Sequence, residues 1–377
     1  MKKICYVVTI SLSIKSFFVP QLQYLAENGF DVTVVCSPDT NLQIALGDSI
    51  RYLPVEIPRG MSLTGTIKAI SNLIELFAKE KFDLVQYSTP NAAFCASIAA
   101  KLVGCKRRNY HLMGFRYLGA SGISKVLLKW IEKITCKNST SIECVSKSNL
   151  ELGVQDGIFK REKATVVWNG STGGVDLERF DFAKRQKWRS EVRKELGYSE
   201  DDFVYGFAGR ITRDKGINEL LEAFINLDTQ AKLLLVGRLE DAQSLDPELL
   251  KIAQGHPNIC FHDAVVDIER YFAAMDVLVL PSYREGFGNV VIEAGAVGTP
   301  AIVSDIPGPI DTIDEGKTAL TVEAKNTADL ADKMKKLREV NYEIMGCYAV
   351  AFAKDRFDSE KLCEKILERK LNLLGSI

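Results

Sequence analysis

At 377 residues the chain is too long for one ordinary core and suits two domains of roughly 150 to 200 residues each. With 46% hydrophobic and 26% charged residues and a mean hydropathy near zero, it has the composition of a globular protein and not of a disordered or membrane-spanning one. The net charge of −1 hides an asymmetry: residues 1–170 carry 21 Lys+Arg against 13 Asp+Glu, net +8, whereas the remainder carries 27 against 36, net −9. Either one domain faces something anionic, or a solvated surface is simply uneven in charge.

Met1-Lys2-Lys3 leads straight into a strand-like run, without the longer apolar stretch and small-residue cleavage site of a signal peptide, so cytoplasmic residence is expected. The longest apolar runs, such as Val277 to Pro281, have the length of buried strands, far below the roughly 20 residues that a spanning helix needs. Nine cysteines with no Cys-x-x-Cys pair, accompanied by three histidines, point to neither a disulfide framework nor a zinc cage. They read as small core residues, and no metal is expected.

From the start of the chain, β-rich runs alternate with helical patterns: Ile4 to Ile10, Asp31 to Cys36, Arg51 to Ile57, Asp83 to Ser88, Arg108 to Leu112, Ser141 to Val145 and Ala164 to Trp168. Between them, Leu63 to Lys79 places Ile67, Ile70, Leu73, Ile74 and Phe77 on one helical face. This alternation predicts a parallel, doubly wound α/β sheet.

Lys101 to Lys137 holds nine Lys or Arg residues and one acid, Glu132, most of the first domain's positive excess. Within it, Leu127, Leu128, Trp130, Ile131 and Ile134 interleave with Lys125, Lys129, Lys133 and Lys137 at helical spacing. Such a basic amphipathic helix either turns its apolar face to the core or holds the protein reversibly on an anionic membrane. Nucleic acid is not expected, since the segment has no recognisable binding motif and the isoelectric point is about 6.4.

After Asn169-Gly170 comes a turn-rich, charged stretch, and a second sheet is predicted from Phe203 to Ala208, Lys232 to Val236, Asn258 to His262, Asp276 to Leu280, Ala301 to Val303 and Ala319 to Val322. The expected domains are therefore 1–169 and 170–358. The last helical patterns are Asp329 to Leu337, Tyr342 to Ala353 and Ser359 to Leu374, and the final one, about 359–377, is expected to cross back to the first domain. Ligands of two such sheets bind in loops that follow strands.

Two such loops carry chemistry. Gly206-Phe207-Ala208-Gly209-Arg210-Ile211-Thr212-Arg213-Asp214-Lys215-Gly216 delivers a guanidinium fork and an ammonium to a strand end, where together they can neutralise a diphosphate. Taken alone it is more often the pattern of a solvated turn. Pro281-Ser282-Tyr283-Arg284-Glu285-Gly286-Phe287-Gly288-Asn289-Val290-Val291-Ile292-Glu293 follows a buried strand and opens a helix near Gly288. Gly286 and Gly288 let backbone approach a ligand, and the helix start aims free N–H groups and a positive dipole end at an anion. Glu293, one turn in, can accept from the paired hydroxyls of a ribose, and Glu285 would face the sugar; as a bare pair they would be a capping carboxylate and a solvated glutamate.

These two segments together resemble glycosyltransferase family 4, the retaining enzymes of the GT-B fold. The resemblance spans nearly the whole chain, through Val166 to Gly170, Gly174 to Phe180, Ala231 to Gly237 and Gly298 to Asp305. Phe18-Val19-Pro20 and Gly114-Phe115-Arg116 look like the branch that builds capsule, O-antigen and lipid-linked oligosaccharides. The resemblance implies two Rossmann-like domains facing a cleft, acceptor on the first and nucleotide sugar on the second. It implies that Arg210 and Lys215 hold the donor diphosphate, Glu293 the ribose and Glu285 the sugar, with Gly286, Phe287, Gly288, Asn289 and Val290 lining donor and phosphates. The loop from Thr9 to Ser16 would approach the phosphates, although it lacks the paired glycines of many members.

Many members carry a histidine where this chain has Met113; His111 either substitutes in part from the same side of a continued strand or is a satisfied core residue. Arg116 either meets an acceptor phosphate or pairs structurally with a carboxylate. The implied activity is transfer of a hexose or N-acetylhexosamine from a UDP-sugar to an undecaprenyl-diphosphate-linked saccharide at the inner membrane face, with retention and without cofactor or metal. The alternatives are a non-catalytic sugar-nucleotide-binding partner of another transferase, or a two-domain epimerase.

Overall fold

In the first strand, Lys2–Val7, side chains alternate between two separate apolar cores: Cys5 and Val7 join one, Ile4 and Tyr6 the other. Burial on both faces is the mark of a parallel strand covered by helices on either side. The computed structural model describes residues 1–227, 230–240 and 242–375. It divides into unit 1, running to Gly174 and resuming at Ser359, and unit 2, Val175–Asp358.

Unit 1 holds seven parallel strands: β1 Lys2–Val7, β2 Phe30–Cys36, β3 Ile50–Pro54, β4 Leu84–Tyr87, β5 Arg108–Leu112, β6 Ser141–Cys144 and β7 Ala164–Thr165, in the order β3-β2-β1-β4-β5-β6-β7. Its helices are α1 Ser11–Phe17, α2 Val19–Glu27, α3 Leu42–Leu46, α4 Leu63–Glu80, α5 Pro90–Leu102, α6 Gly122–Asn138 and α7 Lys147–Gln155. The first strand is shorter than predicted: it stops at Val7, and Ser11 onward turns into α1, which buries Ile14. On α4, Leu73 and Phe77 are buried as the helical spacing predicts, but Ile67 is exposed.

Unit 2 holds β8 Val204–Ala208, β9 Lys232–Val236, β10 Ile259–His262, β11 Val277–Leu280, β12 Ala301–Ser304 and β13 Ala319–Val322, all parallel, in the order β10-β9-β8-β11-β12-β13. Helices α8 Arg185–Leu196, α9 Ile217–Ile225, α10 Pro247–Gly255, α11 Ile268–Ala274, α12 Asn289–Ala296, α13 Thr327–Glu339 and α14 Tyr342–Arg356 complete it. Asp276, just before β11, accepts from Val204 N of β8 (2.7 Å) and from the buried guanidinium of Arg193 (2.8 Å). That clamp fixes the amino ends of the two strands whose opposite ends carry the candidate site.

The last helix, α15 Ser359–Gly375, belongs to unit 1, where Leu362, Ile366 and Leu374 enter the core beside Leu22 and Leu25 of α2. Lys370 is buried and bonds Glu143 Oε2 and Gln86 Oε1, each at 2.7 Å. The division between units falls after Gly174, later than the 169/170 change of pattern. Residues 170–174 stay with unit 1 because Gln21 donates to Thr172 O (2.8 Å) and Ser171 N to Val145 O (2.8 Å).

Candidate active site

The strand order of unit 2 reverses between β8 and β11, the switch point at which open α/β sheets bind ligands at the carboxyl ends of their strands. The loop after β8 carries Arg210 and Lys215, and the loop after β11 carries Glu285 to Gly288, so both motifs meet there. Gly216 lets the loops touch: its φ is +72°, and a Cβ would stand 2.0 Å from Pro281 O. Tyr283 N donates to Asp214 O at 2.9 Å, and Arg284 Nη2 meets Asp214 Oδ2 at 2.9 Å. Burial works to raise Asp214, but the Thr212 hydroxyl and Arg284 hold its carboxyl below the usual range.

Across this seam Lys215 Nζ contacts Glu285 Oε1, which also accepts from Ser282 Oγ at 2.8 Å. Lys215 and Glu285 are thus brought together directly. Arg210 lies on the same loop yet turns to Glu240, with Nη1 to Oε2 at 3.5 Å and about half of its side chain exposed. The structure does not join it to the Lys215–Glu285 pair.

Helix α12 begins at Asn289 with Gly288 as its N-cap at φ +98°, a residue with no side chain to cap it. No acidic residue occupies its first turn, so the positive end of the dipole meets no carboxylate there. Among the described residues no hydrogen bond or ion pair engages Glu293, and burial pushes its carboxyl up to about 7, with Arg179 opposing and Glu269 adding to the rise. Arg179 is itself fixed by Glu269 Oε2 at 2.9 Å and Val266 O at 2.6 Å. A half-buried acceptor beside a helix start can take hydroxyl donors and an anion side by side.

Two features escape the sequence motifs. Arg179, within the Gly174 to Phe180 segment, and Glu269 act on Glu293 in opposite directions, while its burial raises it. Pro307-Gly308-Pro309 packs behind the helix start, with Gly308 so close to Gly286 that a Cβ would lie 2.9 Å from its carbonyl oxygen. The Pro-Gly-Pro run was the available signal for the second; for the first, the Gly174 to Phe180 segment held Arg179, but no local pattern links it or Glu269 to Glu293.

In unit 1 no hydrogen bond or ion pair among the described residues joins the expected acceptor-side residues to one another. Residues 11–17, expected as part of a loop, form α1; Ser16 is exposed on it, while Ser11 and Lys15 both bind Asp39 and hold its carboxyl down to about 2. Without glycines, this stretch gains more from a helical turn that buries Ile14 than from an open loop. β5 ends at Leu112, before Met113, which packs on the core beside α15 residues. His111 is buried, edge-on to Phe18 at 5.5 Å, with Nε2 3.2 Å from Thr172 Oγ1, and burial pushes its pKa down to about 4. That is a packed, neutral histidine. Arg116 is exposed, and Nη1 reaches Asn91 Oδ1 at 3.4 Å.

Two family models match in series: "Glycosyl transferase 4-like" over residues 3–146 and "Glycosyl transferases group 1" over residues 189–344. The capsular polysaccharide biosynthesis glycosyltransferase CapM of Staphylococcus aureus is 32% identical over 97% of this chain and 96% of its own. This chain belongs to glycosyltransferase family 4. The UDP-Gal:alpha-D-GlcNAc-diphosphoundecaprenol alpha-1,3-galactosyltransferase of Escherichia coli is 29% identical over 76% of this chain and 75% of its own. Among solved structures, Anabaena HepE in complex with UDP-glucose superposes with a TM-score of 0.79 at 19% identity, both chains covered in full, which shows the shared GT-B fold. The family 4 member is thus a glycosyltransferase of capsule and polysaccharide biosynthesis. Among the described residues no helix is long and apolar enough to cross a membrane.

Proposed function

We propose that the protein transfers a hexose or N-acetylhexosamine from a UDP-sugar to an undecaprenyl-diphosphate-linked saccharide, with retention of anomeric configuration. The observation that carries this reading is the start of α12 at a glycine N-cap, on the loop that carries the Lys215–Glu285 pair, with Glu293 one turn into the helix. The substrate class is supported by the Escherichia coli relative, whose name specifies UDP-galactose and a diphosphoundecaprenol acceptor.

In this reading the ribose hydroxyls donate to Glu293 and the diphosphate lies over the N–H groups of Asn289 and Val290. Lys215 moves from Glu285 onto the phosphate oxygens, and Glu285 is released to accept from sugar hydroxyls. Arg210 swings from Glu240 to the diphosphate, a modest change for an exposed, long side chain. As the bond from anomeric carbon to phosphate oxygen breaks, these cations and the helix dipole stabilise the charge that develops on UDP, without a metal. The acceptor hydroxyl attacks from the face that UDP leaves, and its proton passes to a departing phosphate oxygen. Unit 1, the basic half, meets the acceptor at the inner face of the cytoplasmic membrane.

The test is to present the purified chain with UDP- and GDP-sugars, with and without undecaprenyl-diphosphate-linked saccharides, in the presence of EDTA. Acceptor-dependent release of UDP and an α-linked product from an α-linked donor are expected. Release of a changed sugar nucleotide without acceptor would instead identify an epimerase, and binding without turnover a non-catalytic partner.

A further inference from the structure

Unit 1 has a switch point of its own. Its strand order reverses between β1 and β4, so the loops leaving the carboxyl ends of these two strands flank the crevice in which an open α/β sheet takes its ligand. Thr9 and Thr89 bridge it. Thr89 Oγ1 accepts from Thr9 N at 3.0 Å, and the two hydroxyls share a hydrogen bond at 2.8 Å. Thr89 stands at φ +64° and ψ 138°, where a β-branched side chain is strained and glycine is not. It is the N-cap residue of α5, yet its side chain makes no capping bond. What threonine supplies at this position, and glycine would lack, is the bond to Thr9.

The turn so held leads from β1 into α1. On the side of β2, Val8 N donates to Val35 O at 3.0 Å, Ser37 N donates to Thr9 O at 3.2 Å, and Ser11 and Lys15 bind Asp39. On the side of β4 it is held by Ser88 N, which donates to Val7 O at 2.9 Å, and beyond that by the Thr89 hydroxyl. Loss of that hydroxyl frees the β4 flank of the turn while the β2 flank stays tied.

We propose that Thr89 is a positioning residue for the transfer: by fixing Thr9 it sets the start of α1 against the crevice of unit 1, where the acceptor lies in the reading above. The inference rests on that reading. A strained residue retained for one side-chain contact beside a ligand crevice preorganises it, and a shift of a turn by a fraction of an ångström is felt in the rate of transfer. The grip on UDP is separate, because Lys215, Glu285 and Glu293 belong to unit 2.

The full-length protein is assayed with the UDP-sugar and the undecaprenyl-diphosphate-linked saccharide that support the fastest UDP release, and UDP affinity and melting temperature are measured beside it. Thr89→Gly fits the backbone and removes the hydroxyl; it should lower kcat by about tenfold, one hydrogen bond expressed as a rate, and leave UDP affinity within about twofold of the wild type. Thr89→Val keeps the branch and loses the hydroxyl, so it should lose as much turnover and melt below the glycine variant. Thr89→Ser keeps the hydroxyl and should stay within about threefold of the wild-type rate. Full turnover by T89G, no rescue by T89S, or a fall in UDP affinity that matches the fall in turnover would overturn the inference. Turnover that tracked melting temperature across the three variants would overturn it too, since that is the mark of a purely structural residue. A wild-type chain that binds UDP and transfers no sugar would strike the transferase reading and this inference with it, whereas an active wild type with an undiminished T89G strikes the inference alone.

Discussion

The ammonium of Lys215 rests on the carboxylate of Glu285, joining the loop after β8 to the loop after β11 at the point where the strand order of unit 2 reverses. In the proposed reading, the cation for phosphate is thereby kept in place by the carboxylate for the sugar. Replacing Lys215 by Ala should lower the rate of UDP release by roughly a hundredfold or more, with Lys215→Arg intermediate, since a preorganised counter-charge to the leaving group is removed. Initial rates with matched circular dichroism spectra check this; full turnover by a folded K215A protein would refute it.

Glu293 is held protonated up to about pH 7 by burial, and a protonated carboxyl accepts ribose hydroxyls less well than a carboxylate. UDP affinity should therefore climb as pH rises through about 7 and level off above it. Titration calorimetry from pH 6 to 8 should show the step in the wild type and a flat profile in Glu293→Gln.

Glu132 lies wholly inside unit 1 on α6; burial pushes it up to about 7 against a hydrogen bond from Tyr110, and its Oε1 has no partner. Its folded pKa exceeds the unfolded one, so the stability it contributes is fully present below about pH 4.5 and is lost as pH rises toward 7. Glu132→Gln should match the wild type near pH 5 and be more stable at pH 8, by on the order of 3 kcal/mol. Calorimetric melting at the two pH values measures the difference.

Lys370 and Glu143 are a buried pair. Burial pulls Lys370 down, and Lys370 in turn holds Glu143 down to about 2 against its own burial. Lys370→Met leaves the buried Glu143 carboxylate with Arg369 alone, at 3.3 Å, and should destabilise unit 1 by roughly 3 kcal/mol, while the double variant with Glu143→Gln recovers much of that. Protease susceptibility of α15 reads out both.

Gly216→Ala should cost turnover as well as stability, because the added methyl meets Pro281 O and the backbone is left-handed. A G216A protein with wild-type melting and UDP release would show that the two loops need not touch.

All thirteen strands are legible as β-rich runs between helical patterns, because a parallel strand buried on both faces needs a short, nearly continuous apolar segment. The loops of unit 2 are equally legible, since Gly216 and Gly288 occupy left-handed positions that few other residues tolerate. What local pattern does not reveal is which way a side chain turns. Amphipathic spacing defines α6 but leaves open whether Val126 and Trp130 face core or solvent, a matter settled by what packs against it. Likewise His111 on β5 and the helical residues 11–17 take their places from Phe18, Thr172 and Asp39, partners that no window of sequence contains.

The return of α15 to unit 1 sets an order of events during synthesis. Leu362, Ile366 and Lys370 leave the ribosome only after the whole of unit 2 has emerged. Until then Glu143 has no counter-ion and Leu22 and Leu25 lack their cover, so the domain translated first is the one whose folding finishes last.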